Sequence, residues 1–319
     1  MELSFEQIRS CCAGALTVQQ EADGVAFYKM TPAQTQAWCD FSQTLGERSL
    51  ANTGVCLDFH TDSASLYFHM AAPAPYEVYV DGRLWQRFPK PYMEENGCKV
   101  SLSLTEGQKR IGLVFPSHNA GGARLLSVQL EDGASFEPHV FRHKLLILGD
   151  SITQGRGSEY DSLSYAWRVT RFFDANSVIQ GVGGGFHHHS LFDEQLPWEP
   201  DWIIEAYGTN DWGHYKTPEA LEENVSLYLD KLVSRYPDKK IFAISPVWRA
   251  DADTPRSMGT HSVCCRILKD QYIRHGCILV DGAKLIPGLP EFFMDGLHPN
   301  EWGHSMLAEN LIIEILKHI

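Results

Sequence analysis

Four short blocks, far apart in the chain, carry residue types that make chemical sense only if they meet. They are Gly149-Asp150-Ser151, the glycine turn Gly181-Val182-Gly183-Gly184-Gly185, Gly208-Thr209-Asn210-Asp211, and Asp295-Gly296-Leu297-His298. A serine hydroxyl is a poor nucleophile until a histidine accepts its proton, and that histidine needs a carboxylate to fix its tautomer. Attack on an acyl carbon places negative charge on oxygen, which calls for N–H groups already aimed at it. A glycine turn offers unhindered backbone amides, and an asparagine offers a side-chain amide. Together the four blocks supply a nucleophile, a base, an orienting acid and an oxyanion site.

Those blocks fall at the ends of apolar runs, and the runs say what positions them. From residue 143 onward "KLLILG", "NSVIQGVG", "DWIIEAYG", "KIFAISPV" and "CILVDG" alternate with helix-length segments. One of these, "TPEALEENVSLYLDKLVSRYP", has apolar residues at helical spacing after a Thr-Pro start. Buried strands alternating with helices predict a parallel sheet covered on both faces, a three-layer α/β/α domain of the flavodoxin-like kind over residues 141–319. Chemistry in such folds gathers at the carboxyl ends of the strands, where the four blocks lie.

Residues 1–140 have a different rhythm. "TGVCLDFHTDSASLYFHM" reads as two strands around a polar turn, and "YEVYVDGRLWQRF" carries an Asp81-Gly82 hairpin signal. "CKVSLSL", "RIGLVF" and "RLLSVQLEDG" continue the alternation, which predicts an antiparallel β-sandwich of jelly-roll type. The one helical candidate there is "TPAQTQAWCDF", with Thr31 as cap and Pro32 at the first helical position. The junction "LEDGASFEPHVFRHKLLILG" has no flexible-linker composition, and its Phe136, Val140 and Phe141 predict a packed interface between the two parts.

The serine block is not the G-x-S-x-G elbow, because Thr153 stands where the last glycine would be. Instead GDSITQG, the 181–185 turn, GTND and DGLHPN resemble, in order and spacing, the blocks of the SGNH (GDSL-type) hydrolases over residues 143–319. The resemblance implies Ser151 as nucleophile, His298 as base and Asp295 as the acid orienting it. It implies the Ser151 and Gly184 amides and the Asn210 side chain as oxyanion donors, although the run of three glycines leaves the register open to Gly183. A sandwich ahead of such a domain is similar to carbohydrate esterase family 2, whose members remove acetyl groups from sugars. Some of those do without the acid that this chain keeps at Asp295.

The resulting expectation is a serine esterase that removes a small acyl group, acetyl foremost, from a carbohydrate or similar polar alcohol, with no cofactor. An acyltransferase using the same acyl-enzyme and a sugar-binding protein with an inactive hydrolase domain are the alternatives. Trp248 and Arg249, just past the fourth strand, are candidate substrate contacts; Trp212 and Trp302 stand in the loops after Asn210 and His298. Asp150 and Asp211 are read as loop-fixing acids. "FHHHS" (186–190) tempts as a metal site, but three consecutive histidines of an extended chain cannot all face one ion, so metal: none, with one histidine left to line the pocket.

Composition narrows the partners. Forty acidic against 27 basic residues give a net charge of −13, a field that repels nucleic acid and anionic lipid. No apolar run approaches the ~20 residues of a membrane span, and the N-terminus lacks the pattern of a signal peptide. Eight cysteines without a CxxC pair then read as reduced, mostly buried thiols, and the expected location is cytoplasmic.

Overall fold

Two antiparallel sheets and one parallel sheet organise the chain in the computed structural model, which describes residues 1–118 and 121–319. The N-terminal part runs α1 (Phe5–Cys11), β1 (Cys12–Ala13), β2 (Thr17–Glu21), β3 (Gly24–Tyr28), α2 (Pro32–Phe41) and α3 (Gln43–Ser49). It continues with β4 (Cys56–Thr61), β5 (Ser65–Met70), β6 (Tyr76–Val80), β7 (Arg83–Phe88), α4 (Lys90–Glu95), β8 (Lys99–Ser103), β9 (Lys109–Val114), β10 (Arg124–Gln129) and β11 (Glu137–Pro138). One sheet has the order β1-β4-β9-β6-β7, with β11 added on β4, and the other β2-β3-β10-β5-β8. Phe27, Phe68 and Val128 of one sheet share a core with Phe59, Val78 and Ile111 of the other.

Turn chemistry accounts for much of this. Asp81 and Gly82 both have positive φ, 49° and 76°, and β6 and β7 pair antiparallel across them. Such a turn matches the right-handed twist of its strands. The two strands read around the 62–64 turn do form, but β4 and β5 belong to different sheets, so that turn crosses the core. Thr31 caps α2 in a reciprocal box with Gln34. The expectation of a single N-terminal helix needs correction: α1, α3 and α4 are also present, at seven, seven and six residues. Two turns are too short to register an apolar period.

The C-terminal part runs β12 (His143–Gly149), α5 (Tyr165–Phe172), β13 (Ala175–Gly181), β14 (Trp202–Ala206), α6 (Asp211–His214), α7 (Pro218–Arg235), β15 (Lys240–Ile244), α8 (His261–Arg274), β16 (Ile278–Val280) and α9 (Glu301–Leu316). Its sheet is parallel throughout, in the order β13-β12-β14-β15-β16. Leu146, Leu148 and Ile203 on one face pack with Val225 and Leu229 of α7 and Leu268 of α8. Leu145, Ile147 and Ile204 on the other pack with Val169 of α5 and Leu311 of α9. This is the three-layer α/β/α arrangement. The order reverses at β12, whose neighbours β13 and β14 lead away on opposite sides and leave a crevice at its carboxyl end.

The two parts meet through buried polar contacts as well as apolar ones. Asp58 takes Arg110 at 2.7 and 2.8 Å and Arg171 at 3.1 Å, and Glu77 takes the Ser162 hydroxyl at 2.6 Å. Met30 and Trp38 belong to the same core as Val182 and Phe186. The junction itself differs from expectation. Phe136 packs on Phe59 and Phe141 lies in a small cluster with Trp167, but Val140 is 83% exposed. The interface is therefore shared between α2 and α3, through Gln34 and Arg48, and the strands β4 and β6, through Asp58 and Glu77. No helix among the described residues is long and apolar enough to cross a membrane.

Candidate active site

The turn after β12 is tight because Gly149 allows it. A Cβ at Gly149 would stand 2.1 Å from the Thr153 hydroxyl oxygen. Asp150 closes the turn by accepting the Ile152 amide at 2.9 Å, the loop-fixing part read for it. Burial is the main influence on its carboxyl and pushes it up to about 7. Ser151 is left at the mouth of the crevice, mostly buried, with its Oγ 2.9 Å from Nε2 of His298.

His298 comes from the loop before α9. Its Nδ1 lies 2.8 Å from Oδ2 of Asp295, while Asp295 Oδ1 accepts the backbone amides of His298 at 2.8 Å and Leu297 at 3.1 Å. Burial raises the Asp295 carboxyl, but the His298 amide, its imidazole and the Leu297 amide outweigh this and hold it below the usual carboxylate range. Gly296, at φ 76°, lets the chain fold back so that the carboxylate meets the ring three residues on. Gly157 packs so closely on Pro299 that a Cβ there would lie 1.9 Å from its carbonyl oxygen. That contact holds the serine loop against the histidine loop. With Nδ1–H donated to Asp295, Nε2 is the acceptor available to Ser151.

The glycine turn lies across the crevice. The Gly183 amide donates to Oε1 of Gln154 at 2.6 Å, and the Gly183 carbonyl accepts Nη1 of Arg48 at 2.8 Å. Gly185 N–H is bonded to the Val182 carbonyl at 2.8 Å. Among the described residues, the amides of Gly184 and Ser151 have no hydrogen-bond acceptor. Of the two registers, the one with Gly184 is thus the one with an amide to offer. Asn210 donates one N–H of its side-chain amide to the Gly185 carbonyl at 2.9 Å, tying the third strand end to the turn. An amide has a second N–H.

Other expectations fare differently. Arg249 is buried, bonded to Asp251 at 2.6 and 3.0 Å and to the Thr209 carbonyl at 3.0 Å, with its guanidinium over the Trp212 ring. It braces the loop that presents Asn210 through the Thr209 carbonyl. Trp248 packs against Phe293 and lines a cleft of about 290 Å³ with Arg249, His261 and Lys269. Trp212 is fully buried, whereas Trp302 is 75% exposed on the first turn of α9.

His187 does not line a pocket. It is fully buried, with Nδ1 2.9 Å from Asp211 and Nε2 3.3 Å from Glu205. Burial pulls the imidazole down, but Asp211 and then Glu205 raise it to about 10. His188 and His189 stack on each other. Among the described residues no group of three or more His, Cys, Asp or Glu is placed to hold a metal ion. Sequence reasoning missed Arg48 and Gln154. Gln154 lies inside the GDSITQG block, where its position was a signal, but nothing around Arg48 marks it.

The chain is thus an α/β protein whose parallel sheet reverses its order at the serine-bearing strand, with a histidine and an acid delivered to that serine from the loop before the last helix. The chain belongs to the GDSL-like lipase/acylhydrolase family, whose model matches residues 147–306 and so takes in all four blocks. A search of curated proteins by sequence finds no match. Among solved structures, the chain is similar to a salicylyl-acyltransferase from a tetracycline biosynthetic pathway, at TM-score 0.77 and 21% identity over 96% of this chain and 94% of that one. It is also similar to a family two carbohydrate esterase from Cellvibrio japonicus, at TM-score 0.67 and 14% identity over 99% and 97%. A family two carbohydrate esterase from Clostridium thermocellum, solved with cellohexaose, gives 0.61 and 18% over 82% and 91%. At these identities the likeness is one of fold, and it includes the N-terminal part.

Proposed function

We propose that this protein is a serine ester hydrolase that removes a small acyl group, acetyl in our reading, from a carbohydrate or similar polar alcohol. The observation that carries it is the continuous Ser151–His298–Asp295 contact chain, together with the Ser151 and Gly184 amides, which have no acceptor among the described residues. Nε2 of His298 takes the Ser151 proton as Oγ attacks the carbonyl carbon, and the carbonyl electron pair moves onto oxygen. The Ser151 and Gly184 amides and the free N–H of Asn210 receive that charge, while Asp295 stabilises the imidazolium. Collapse expels the alcohol, which leaves with the proton from His298. Water, deprotonated by His298, then attacks the acyl-serine, His298 returns that proton to Ser151 Oγ as the acyl–oxygen bond breaks, and the carboxylic acid departs and ionises in water. No step calls for a metal or cofactor.

Sugar as the alcohol is supported by the carbohydrate esterases of like fold. Transfer to an acceptor other than water is the second reading, favoured by the likeness to an acyltransferase over almost the whole chain. The strand orders of the two N-terminal sheets alternate between early and late strands as a jelly roll does, and we read that part as one. The test is hydrolysis of aryl acetate, butyrate and longer esters, then of acetylated oligosaccharides, with and without alcohol acceptors. Ser151→Ala should lose on the order of 10⁴-fold in kcat with its melting temperature kept. Near-native turnover by that variant would overturn the proposal.

A further inference from the structure

Peptide 183–184 is held at its oxygen and open at its nitrogen. Its N–H belongs to Gly184, which has no acceptor among the described residues, and its carbonyl belongs to Gly183, which accepts Arg48 at 2.8 Å. We propose that Arg48, carried on α3 of the N-terminal part, is a positioning residue of the oxyanion site that fixes and polarises this peptide. The inference rests on the reading of Gly184 as an oxyanion donor.

A peptide is one planar, resonance-coupled unit, so a cationic donor on its oxygen draws electron density from its nitrogen and strengthens the N–H as a donor. The same bond fixes the plane of the peptide, and so the direction of the N–H. The preceding peptide is held too, because the Gly183 amide donates to Gln154, whose Nε2 donates to the Ser117 carbonyl at 2.9 Å. Both anchors thus lead back to the N-terminal part.

Local sterics fit this role. A Cβ on Gly183 would lie 3.0 Å from the Gln154 oxygen and 3.5 Å from Cδ of Arg48, so glycine leaves room for the stem that reaches the carbonyl. A Cβ on Gly184 would lie 3.4 Å from Nη1, which puts the cation beside the donor residue. Arg87, Arg110, Arg171 and Arg249 all face carboxylates. Arg48 forms no ion pair among the described residues, so its charge is not cancelled where the oxyanion would develop. A clamp between two parts of the chain could have used a neutral donor.

The test compares full-length wild type with Arg48→Met, Arg48→Lys and Arg48→Ala, each checked for fold by circular dichroism and melting temperature. An organophosphonate fluoride is applied first, with mass spectrometry locating its adduct. Failure to label Ser151 in wild type brings down the serine reading and this inference with it. With Ser151 labelled, Arg48→Met should lower kcat and the labelling rate by about 10-fold, less than removing an oxyanion donor outright. KM and the acidic limb of the pH profile should stay put, since His298 and Asp295 are untouched. Arg48→Lys should fall between, and guanidinium added to Arg48→Ala should restore several-fold in kcat. Wild-type kcat and labelling rate in Arg48→Met, whatever its melting temperature, would leave Arg48 as a clamp alone and sink the inference.

Discussion

At the scale of single residues, the functional argument turns on how a proton is handled between Ser151 and His298. His298→Ala should cost nearly as much as loss of the serine, because no other base lies within reach of Oγ among the described hydrogen bonds. Asp295→Asn should cost less, about 10²- to 10⁴-fold in kcat, because it removes the orienting acid and leaves the base in place. A wild-type kcat in that variant would mean that Asp295 does not act on His298. Exhaustive chelation should leave kcat unchanged; loss restored by zinc would return the 187–189 histidines to consideration. Ser151, Asn210, Asp295 and His298 were legible because each stands in a short contiguous block of distinctive types. Arg48 was not, because its partner lies 135 positions away and its own helix, QTLGERS, is simply polar.

At the scale of elements, the strand ends must approach one another closely for the blocks to meet. Gly181, the last residue of β13, shows how closely: a Cβ there would lie 2.5 Å from the Gln154 amide nitrogen and 2.7 Å from the Thr153 carbonyl carbon. Both are backbone atoms of the turn that carries Ser151, so no side chain can swing away to make room. Gly181→Ala should cost about 1–3 kcal/mol in stability, the usual cost of overpacking, and should lower kcat because the serine turn is what must move. Urea unfolding and turnover of the same preparation check both, and native values in each would mean that the strand end has slack. The five buried strands and α7 were legible from their runs and period. The β2–β3 hairpin was not, because TVQQE on β2 alternates too weakly and is half exposed. Val140 misled for another reason: an apolar residue beside a real interface is not obliged to enter it.

At the scale of the molecule, charge and packing join the two parts of the chain. His187, held between Asp211 and Glu205 at the centre of the C-terminal part, sets one pH dependence of stability. Its folded value, raised to about 10, exceeds the unfolded value of about 6.5. The stabilisation is therefore complete below that lower value and is lost as pH rises toward the higher one. Urea midpoints should fall between pH 6.5 and 10, and His187→Gln should flatten that slope; an unchanged slope would place its origin elsewhere. The larger consequence concerns a chain cut at the junction. Residues 143–319 alone would lose the Lys29 ammonium that donates to the Gly181 carbonyl at 2.8 Å, and the Gln34 amide that pairs with Gln180 at 2.9 Å. They would also lose Trp38, which covers Phe186, and both ties on the glycine turn, Arg48 and the Ser117 acceptor of Gln154. Buried polar groups left unpaired and an apolar face left open both work against a soluble fold. A fragment starting at His143 should therefore aggregate or unfold well below the melting temperature of the full chain, and any folded fraction should turn over acetyl esters at least 10-fold more slowly, as a weakened oxyanion site dictates. Size-exclusion chromatography with an aryl-acetate assay decides it. A monomeric fragment working at the full-length rate would show that the glycine turn holds its shape unaided and that the N-terminal part is a separable module.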